Sequence, residues 1–397
     1  MSGIAFILSI LPILVILILM AGLNLSAERA GLIGYLACVM IGVVFFGVTK
    51  PILTYGHLRG LWFAVDVLLI IWASYLFYLV LEEAGIIAIL EERLPQVAPS
   101  KGMQAYALGW IFASFLQGVG GFGVPVAVIA PILIKLGFEP LQAILIPSVG
   151  HGWGVTFGSL GSSFRALLAI SGHPIYPLNI ITAGMLAVSC VLSGWICLLL
   201  VDGWRELRRS FAQVTISGVV MGGIMLVGVW LGFWNLGTFL GAMAALVWFI
   251  LLVRFFYNHQ RIDSEVAKEL GVAFSGFGVL IGTIFVVNFV PSLNMLLHQV
   301  EFSLMIPALE TAPTRLNIPP HSIPSGRAAQ VFILSHPGIV LFYAILLLVL
   351  WFSLQGRLRA HSLAQVGKKM VKRLIPTTIG IWAMVTMSIL MEMSGMT

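Results

Sequence analysis

The sequence has very little charge and very few cysteines for its length. Only 9% of its 397 residues are charged, whereas 60% are hydrophobic, and a soluble globular domain carries about 25% charged residues. The three cysteines, Cys38, Cys190 and Cys197, lie apart in apolar runs, so the sequence predicts no disulfide framework, no metal site and no cofactor. One soluble core cannot bury so much apolar sequence, and the composition predicts a polytopic membrane protein.

Long apolar runs cover most of the chain. Each is close to the roughly 20 residues that a helix needs to cross the hydrocarbon layer, except for the pieces around a glycine-rich stretch at 115–135. The first run has no basic residues before it, which indicates a retained helix rather than a cleaved signal. We therefore predict an all-α membrane protein of about 11–12 transmembrane or re-entrant segments. The predicted segments are 3–23, 30–48, 60–81, 103–117, 115–135, 141–160, 178–201, 212–233, 236–256, 272–297, 331–352 and 374–391.

Lysine and arginine residues concentrate in three loops, at 205–209, 254–268 and 357–373. Positive loops stay on the cytoplasmic side of a membrane, so we place all three in the cytoplasm. The long loop 298–330 then faces outward. The same loops account for the formal net charge of +6, and no nucleic-acid partner is needed to explain it.

One internal repeat is visible. The segment IIWASYLFYLVLEEAG at 70–85 aligns with GIWAMVTMSILMEMSG at 380–395 at one offset, because 382 minus 72 and 395 minus 85 both give 310. A chance match between apolar segments is the equal alternative. The charge pattern has the two copies enter the membrane from opposite sides, as in the inverted repeats of secondary transporters. The predicted division is a membrane domain with the first repeat at 1–256, including a broken-helix site at 115–165, a cytoplasmic loop at 257–271, and further spans with the start of a second repeat at 272–397.

The stretch FLQGVGGFGVPVAV places helix breakers inside an apolar segment. It contains G-x-G-x-x-G, but a dinucleotide site needs a preceding strand and a soluble βαβ unit, and an apolar helix precedes this one. A broken or re-entrant helix and a close-packing glycine face both stay open. In a broken helix, the freed amides and the partial positive charge of a helix N-terminus suit a carboxylate. The substrate-binding candidates here are Gly118, Gly120, Gly121, Phe122, Gly123 and Pro125.

A second glycine cluster follows at 147–165, with the sequence PSVGHGWGVTFGSLGSSFR. It adds hydroxyl groups, an imidazole and a guanidinium to its small residues, so the two clusters form a polar island and can meet as facing broken elements. The arginine either holds a carboxylate in a bidentate fork or anchors the end of its segment. The candidates in this cluster are His151, Gly158, Ser159, Gly161, Ser162 and Arg165.

These motifs resemble the L-lactate permease family, bacterial monocarboxylate transporters of the ion transporter superfamily. The family pattern F-x-E-G-x-x-G-F-G-x-P-V-A-I, followed by L-G-F-x-P-L, is similar to FLQGVGGFGVPVAV and LGFEPL here. A second pattern, N-x-A-P-V-x-F-G-x-x-G-x-P, is similar to HGWGVTFGSLGSS, and GLW at 60–62 and DGWR at 202–205 also fit. The resemblance implies proton-coupled symport of L-lactate, glycolate or a related 2-hydroxy-monocarboxylate across the cell inner membrane.

The sequence departs from the family pattern at three positions. Gln117 replaces an acidic residue, His151 replaces an asparagine and Ser163 replaces a proline, so the position of the proton site stays open. Family members also continue beyond the point that matches Gly395. The resemblance therefore implies that the second repeat is incomplete here and is supplied by a partner chain or is absent.

Three residues are candidates for proton coupling: Asp66, His151 and Gln117. Asp66 lies within an apolar span, where a carboxyl is costly unless it has a function, although it can equally snorkel towards an interface. His151 titrates near physiological pH, or it is a structural histidine. We expect His336 to lie at the entry to a span.

The expected partners are a small carboxylate, a proton and the lipid bilayer. A partner chain that carries the second repeat and a second copy in a homodimer are further candidates. We expect no enzymatic activity, because no catalytic pair stands at a suitable spacing within the spans. Two alternatives stay open: a transporter of a different small anion, and a non-transporting scaffold subunit, which would not explain broken helices in lipid.

Overall fold

Most of the chain is helical. The computed structural model describes residues 3–98, 100–119, 124–171, 173–256, 264–314 and 319–397. The helices are α1 Gly3–Leu17, α2 Ala27–Phe45, α3 Lys50–Glu83, α4 Ile86–Arg93, α5 Lys101–Gln104, α6 Ala113–Val119, α7 Val124–Lys135, α8 Pro140–Gly152, α9 Ser162–Ser171, α10 Ile175–Trp230, α11 Gly237–Phe256, α12 Ser264–Phe289, α13 Pro291–Leu297, α14 Pro337–Leu354 and α15 Ala360–Met393. Segments Ile18–Gly22 and Ala105–Phe112 are π-helical, and Leu94–Val97, Ser159–Gly161 and Trp234–Leu236 are 3-10 turns.

Eight helices of the described chain are long and apolar enough to cross a membrane. The longest of them, α10, leaves helical geometry at Asp202 and Gly203, so its 56 residues divide into two apolar halves. This architecture confirms the predicted all-α polytopic membrane protein. The candidate spans are Gly3–Gly22, Ala27–Phe45, Lys50–Glu83, Ile175–Trp230, Trp234–Phe255, Ser264–Val287, Pro337–Leu354 and His361–Met393.

The segment predicted only as a loop, 298–330, contains short strands. Strand β1 (Glu301–Ile306) pairs antiparallel with β4 (Gly326–Phe332), and β2 (Leu309–Glu310) pairs with β3 (Ser322–Ile323). The Ala312 amide donates to the Gly47 carbonyl at 2.8 Å. Gly47 has a φ of +65°, and a Cβ there would lie 2.1 Å from the Ala312 carbonyl oxygen, so this contact requires glycine.

Two compact units divide the chain, and neither is continuous in sequence. Unit 1 consists of Met1–Leu69, Pro291–His336 and Gly367–Thr397, and unit 2 of Ile70–Val290 and Pro337–Val366. Both units draw on the predicted segments 1–256 and 272–397. Of the predicted loop 257–271, residues 257–263 lie outside the described part, and the chain is already helical from Ser264.

The two copies of the predicted repeat form matching helices. Helices α3 and α15 each have 34 residues, and both ends of α15 follow those of α3 at the same offset of 310. Each helix ends before a glycine with positive φ, Gly85 at 76° and Gly395 at 72°. The glycine amides donate to the Glu82 and Glu392 carbonyls at 3.0 and 3.1 Å. The inversion of the two copies stays a prediction.

The helical segment that leads into the first glycine stretch is buried in unit 2. Nearly every residue from 102 to 119 is buried, and Phe115 contacts the rings of Phe112, Phe239 and Phe277, the last at a centroid distance of 4.5 Å. The indole N–H of Trp110 donates to the Ser193 hydroxyl at 3.0 Å. Protein rather than lipid therefore surrounds this segment, and irregular backbone at membrane depth needs such a setting.

A close helix crossing in unit 2 yields a stability prediction. A Cβ on Gly150 of α8 would lie 2.0 Å from the Gly109 carbonyl oxygen. Because backbone cannot yield as a side chain does, we expect Gly150→Ala to lower the free energy of unfolding by about 1–3 kcal/mol. The thermal unfolding midpoint in detergent measures this effect. Gly152→Ala is the control, since nothing lies within 4 Å of its Cβ; equal midpoints for the two variants would contradict the prediction.

Candidate functional site

The second glycine cluster interrupts the helical course of unit 2. Helix α8 ends at Gly152, a turn follows, and α9 begins at Ser162. Ser159, Leu160 and Gly161 have φ values of 47°, 54° and 74°, in the left-handed region that residues with a Cβ rarely adopt. Two non-glycine residues in succession hold this conformation, which marks stored backbone strain of the kind that clusters at functional sites.

The first glycine stretch lies between α6, which ends at Val119, and α7, which begins at Val124. Gly120, Gly121, Phe122 and Gly123 lie outside the described residues. Pro125 is in the first turn of α7, where a missing amide costs no hydrogen bond. Both flanking valines line a small apolar cavity, whose other lining residues are Phe77, Tyr78, Leu81, Ile87, Leu116 and Phe277.

The two clusters meet at Gln117 and Gly158. Gln117 is 4% exposed, and a Cβ on Gly158 would lie 2.8 Å from its Nε2 atom and 2.9 Å from its carbonyl oxygen. The end of α6 therefore packs directly against the break that follows α8. Sequence analysis expects the clusters to face each other, and the structure brings these two candidates together.

Side-chain hydroxyls satisfy the backbone around this break. Ser114, one turn before Gln117 on α6, donates to the Gly150 carbonyl at 3.2 Å and accepts from the Trp153 indole at 2.9 Å. Thr238, at the start of α11, donates to the Gly154 carbonyl at 2.7 Å. These positions carry no motif, so sequence reasoning missed them. A hydroxyl within an apolar helix is the only local signal.

The remaining glycine and serine candidates divide into two groups. A Cβ on Gly118 would lie 2.6 Å from the Phe239 backbone, and one on Gly161 would lie 2.6 Å from the Trp234 ring, so both positions permit close packing. Ser159 and Ser162 are each 3% exposed, beside the break and at the first residue of α9. Their hydroxyls are therefore desolvated donors and acceptors at a helix N-terminus.

Two ionisable candidates also lie in unit 2. Arg165 is half-buried on the first turn of α9. His151 is half-buried near the end of α8, and its Nδ1 contacts the Pro147 carbonyl at 2.5 Å. Since a carbonyl only accepts, Nδ1 carries the proton of this bond, and a neutral ring then leaves Nε2 as an acceptor. The imidazole is thereby tied to its own helix.

Asp66 lies apart from these candidates, in the part of α3 that belongs to unit 1. Its Oδ1 is 3.1 Å from Nε2 of His336. His336 directly precedes α14, which agrees with the prediction that it lies at the entry to a span. Sequence analysis treated the two residues separately. No local signal links them, because their sequence positions differ by 270.

Residues next to two of the motifs that resembled the permease family are in contact. In LGFEPL, Glu139 caps α8 and forms a capping box with Gln142. The Gln142 amide donates to the Leu200 carbonyl at 2.8 Å, next to the break in α10 at the start of DGWR. Neither motif contains a candidate for carboxylate binding. The Gln142 contact joins the first turn of α8 to α10 beside its break.

Among the described residues, no group of three or more His, Cys, Asp or Glu side chains could hold a metal ion. The groups gathered near Gln117 are amides, hydroxyls and backbone. Such groups bind and orient an anion by neutral hydrogen bonds, without a permanently buried charge.

Comparison with known proteins gives a family for the whole chain. The family model "L-lactate permease" matches residues 5–397. An L-lactate permease of Streptococcus iniae is 25% identical over 411 residues, which cover 98% of this chain and 80% of that protein. No solved structure matches the chain.

Two further relatives match about half of the chain. A putative L-lactate permease of Haemophilus influenzae is 29% identical over 54% of this chain and 41% of its own length. Glycolate permease GlcA of Escherichia coli is 25% identical over 54% of this chain and 39% of its own length. The chain thus spans about two fifths of these two relatives. With its membrane-length helices, it is a multi-pass protein of the bacterial inner membrane, and it belongs to the L-lactate permease family.

Proposed function

We propose that this chain transports small monocarboxylates, such as L-lactate or glycolate, across the inner membrane together with protons. Relatives named as L-lactate and glycolate permeases support the substrate class. Their names describe transporters rather than enzymes. Proton coupling is the mechanism that the resemblance to this family implies.

One observation carries the proposal: the buried meeting point of Gln117 with the break at Gly158. The buried Ser159 and Ser162 hydroxyls and the Gln117 side-chain amide provide neutral donors for a carboxylate. Neutral donors suit a transporter, because an empty site then leaves no uncompensated buried charge. The site can therefore reload and return without a bound anion.

Backbone strain favours this function over a scaffold. Holding Ser159 and Leu160 in left-handed conformations costs of order 1–3 kcal/mol each. A scaffold subunit has no use for that cost, whereas a binding site gains amides that point at the ligand. A transporter of another small anion would use the same donors, and competition between anions distinguishes the two.

Uptake by proteoliposomes that contain the purified chain tests the proposal. We expect labelled L-lactate to accumulate when the outside is more acidic than the inside, and unlabelled glycolate to compete. Protein-free liposomes are the control. We also propose that a partner chain or a second copy takes part. The assay is therefore repeated with the product of the adjacent reading frame to test for a partner chain, and light scattering in detergent tests for a homodimer. Absence of uptake with and without that product, while a full-length relative is active, would contradict the proposal.

A substitution at the meeting point tests the site itself. We expect Gly158→Ala to reduce uptake to near the level of protein-free liposomes, because its Cβ would lie within 3 Å of the Gln117 amide and two carbonyl oxygens. Gly184→Ala on α10 is the matched control, since nothing lies within 4 Å of its Cβ. Wild-type uptake by the Gly158 variant would show that the contact between Gln117 and Gly158 is not part of the binding site.

The family pattern suggests a charge test at position 117. In Gln117→Glu, an ionised carboxylate at this buried position would repel the substrate carboxylate, whereas a protonated one would not. We therefore expect the KM for lactate, relative to wild type, to rise as pH rises, and to approach wild type at low pH. Gln365→Glu on the exposed face of α15 is the control. A KM ratio independent of pH would show that position 117 does not face the substrate.

A further inference from the structure

An acid and an imidazole are paired within the apolar part of unit 1. Asp66 lies near the middle of the 34-residue α3, and its Oδ1 is 3.1 Å from His336 Nε2. The side chains of Asp66 and His336 are 7% and 0% exposed. Such a pair is costly to bury and is strongly destabilising when one partner is removed, so ionisable residues inside membrane helices generally have a function.

This pair can hold one proton or two. With one shared proton it is either an ion pair or two neutral groups, and its net charge is zero in both cases. A second proton gives a carboxylic acid beside an imidazolium, with a net charge of +1. Proton binding forms one O–H or N–H bond, and release breaks it, so the cycle consumes no other reactant. The pair therefore has the two states that a coupling site needs.

The residue before His336 contacts an exposed histidine. The hydroxyl of Ser335, the neighbour of His336, is 3.2 Å from Nε2 of the exposed His298. His298 Nδ1 contacts the Asn294 carbonyl at 2.8 Å, so Nδ1 carries a proton and Nε2 of the neutral ring accepts. The Ser335 hydroxyl also donates to the Phe332 carbonyl at 3.5 Å. An exposed histidine thus contacts the hydroxyl of the residue next to the buried His336.

Several other ionisable side chains of unit 1 have contacts of their own. Arg59, two turns before Asp66 on α3, binds Glu392 of α15 at 3.0 Å. Tyr35 of α2 is hydrogen-bonded to His57 of α3. His321 packs against the glycine that follows α15. The nearest cation on α3 in sequence is thus paired with Glu392, and Asp66 contacts His336.

We propose that Asp66 and His336 together bind the coupling proton, which reaches them through His298 and Ser335. The inference rests on the proposed proton-coupled transport and deepens it, because it assigns the proton to unit 1 and the carboxylate to unit 2. Neither His151 nor Gln117 is then the proton site.

Two transport modes separate coupling from substrate binding. Proteoliposomes with Asp66→Asn or His336→Gln are expected to lose lactate accumulation driven by a proton gradient. They are expected to keep counterflow, the exchange of external labelled lactate for internal unlabelled lactate at equal pH, because exchange requires no net proton movement. Lactate-driven proton uptake, followed with a pH dye, should be lost together with accumulation. Asp202→Asn and His173→Gln, both exposed, are matched controls and should behave as wild type.

Each alternative result has a distinct meaning. Wild-type protein silent in both modes, with and without the product of the adjacent reading frame and beside an active relative, overturns the proposed function and this inference with it. Active wild type with normal accumulation in both variants overturns the inference alone, as does loss of counterflow in variants that remain folded. If a single variant fails to fold, the double variant Asp66→His with His336→Asp is used, because it keeps an acid and an imidazole in the pair. Counterflow retained without coupling, or coupling restored, supports the assignment. Failure of counterflow in the folded exchanged pair overturns it.

The route is tested with Ser335, which acts through its neighbours and is a positioning residue. We expect Ser335→Ala to slow lactate-driven proton uptake while counterflow stays at the wild-type rate. Ser353→Ala, at an exposed position of α14, is the matched control. Unchanged proton uptake in the Ser335 variant would remove this route from the proposal.

Discussion

Backbone amides and carbonyls in so apolar a chain must find partners inside the protein, and the region around the glycine clusters depends on this requirement. Near the end of α8, the Gly150 carbonyl accepts a hydrogen bond from the Ser114 hydroxyl. In the turn that follows, the Gly154 carbonyl accepts one from the Thr238 hydroxyl. Both hydroxyls are fully buried. Buried protein groups therefore satisfy the backbone at this break, and lipid could not supply those bonds.

Symport requires an anion site and a proton site that influence each other. In our proposals the carboxylate binds in unit 2 and the proton in unit 1. Helix α3 is continuous through both units: Asp66 lies in its unit-1 part, and Phe77 and Tyr78 of its unit-2 part line the cavity beside the first glycine stretch. One helix thus contributes residues to the proposed proton site and to this cavity.

Prediction from sequence succeeded where one local property decided the outcome. Apolar run length located the helices long enough to cross a membrane, but the predicted segments 103–117, 115–135 and 141–160 are not among them. The 310-residue offset anticipated two helices that end at the same relative positions. Prediction was less complete where turns and contacts decided: the strands within 298–330 were predicted only as a loop. The glycines of one motif also proved unequal, because Gly118 meets the backbone of α11 whereas Gly158 meets Gln117. Spacing alone cannot separate these roles, since each depends on what lies opposite.

The sequence by itself determined that this protein lies in a membrane, which helices are long enough to cross that membrane, and where glycine and proline interrupt the apolar runs. These are local properties, set by the transfer of side chains from water and by backbone freedom at single residues. Only the tertiary structure decided that Gln117 meets Gly158 and that Asp66 pairs with His336. Both contacts join segments far apart in the chain, and they arise from the packing of whole helices, which no local pattern encodes.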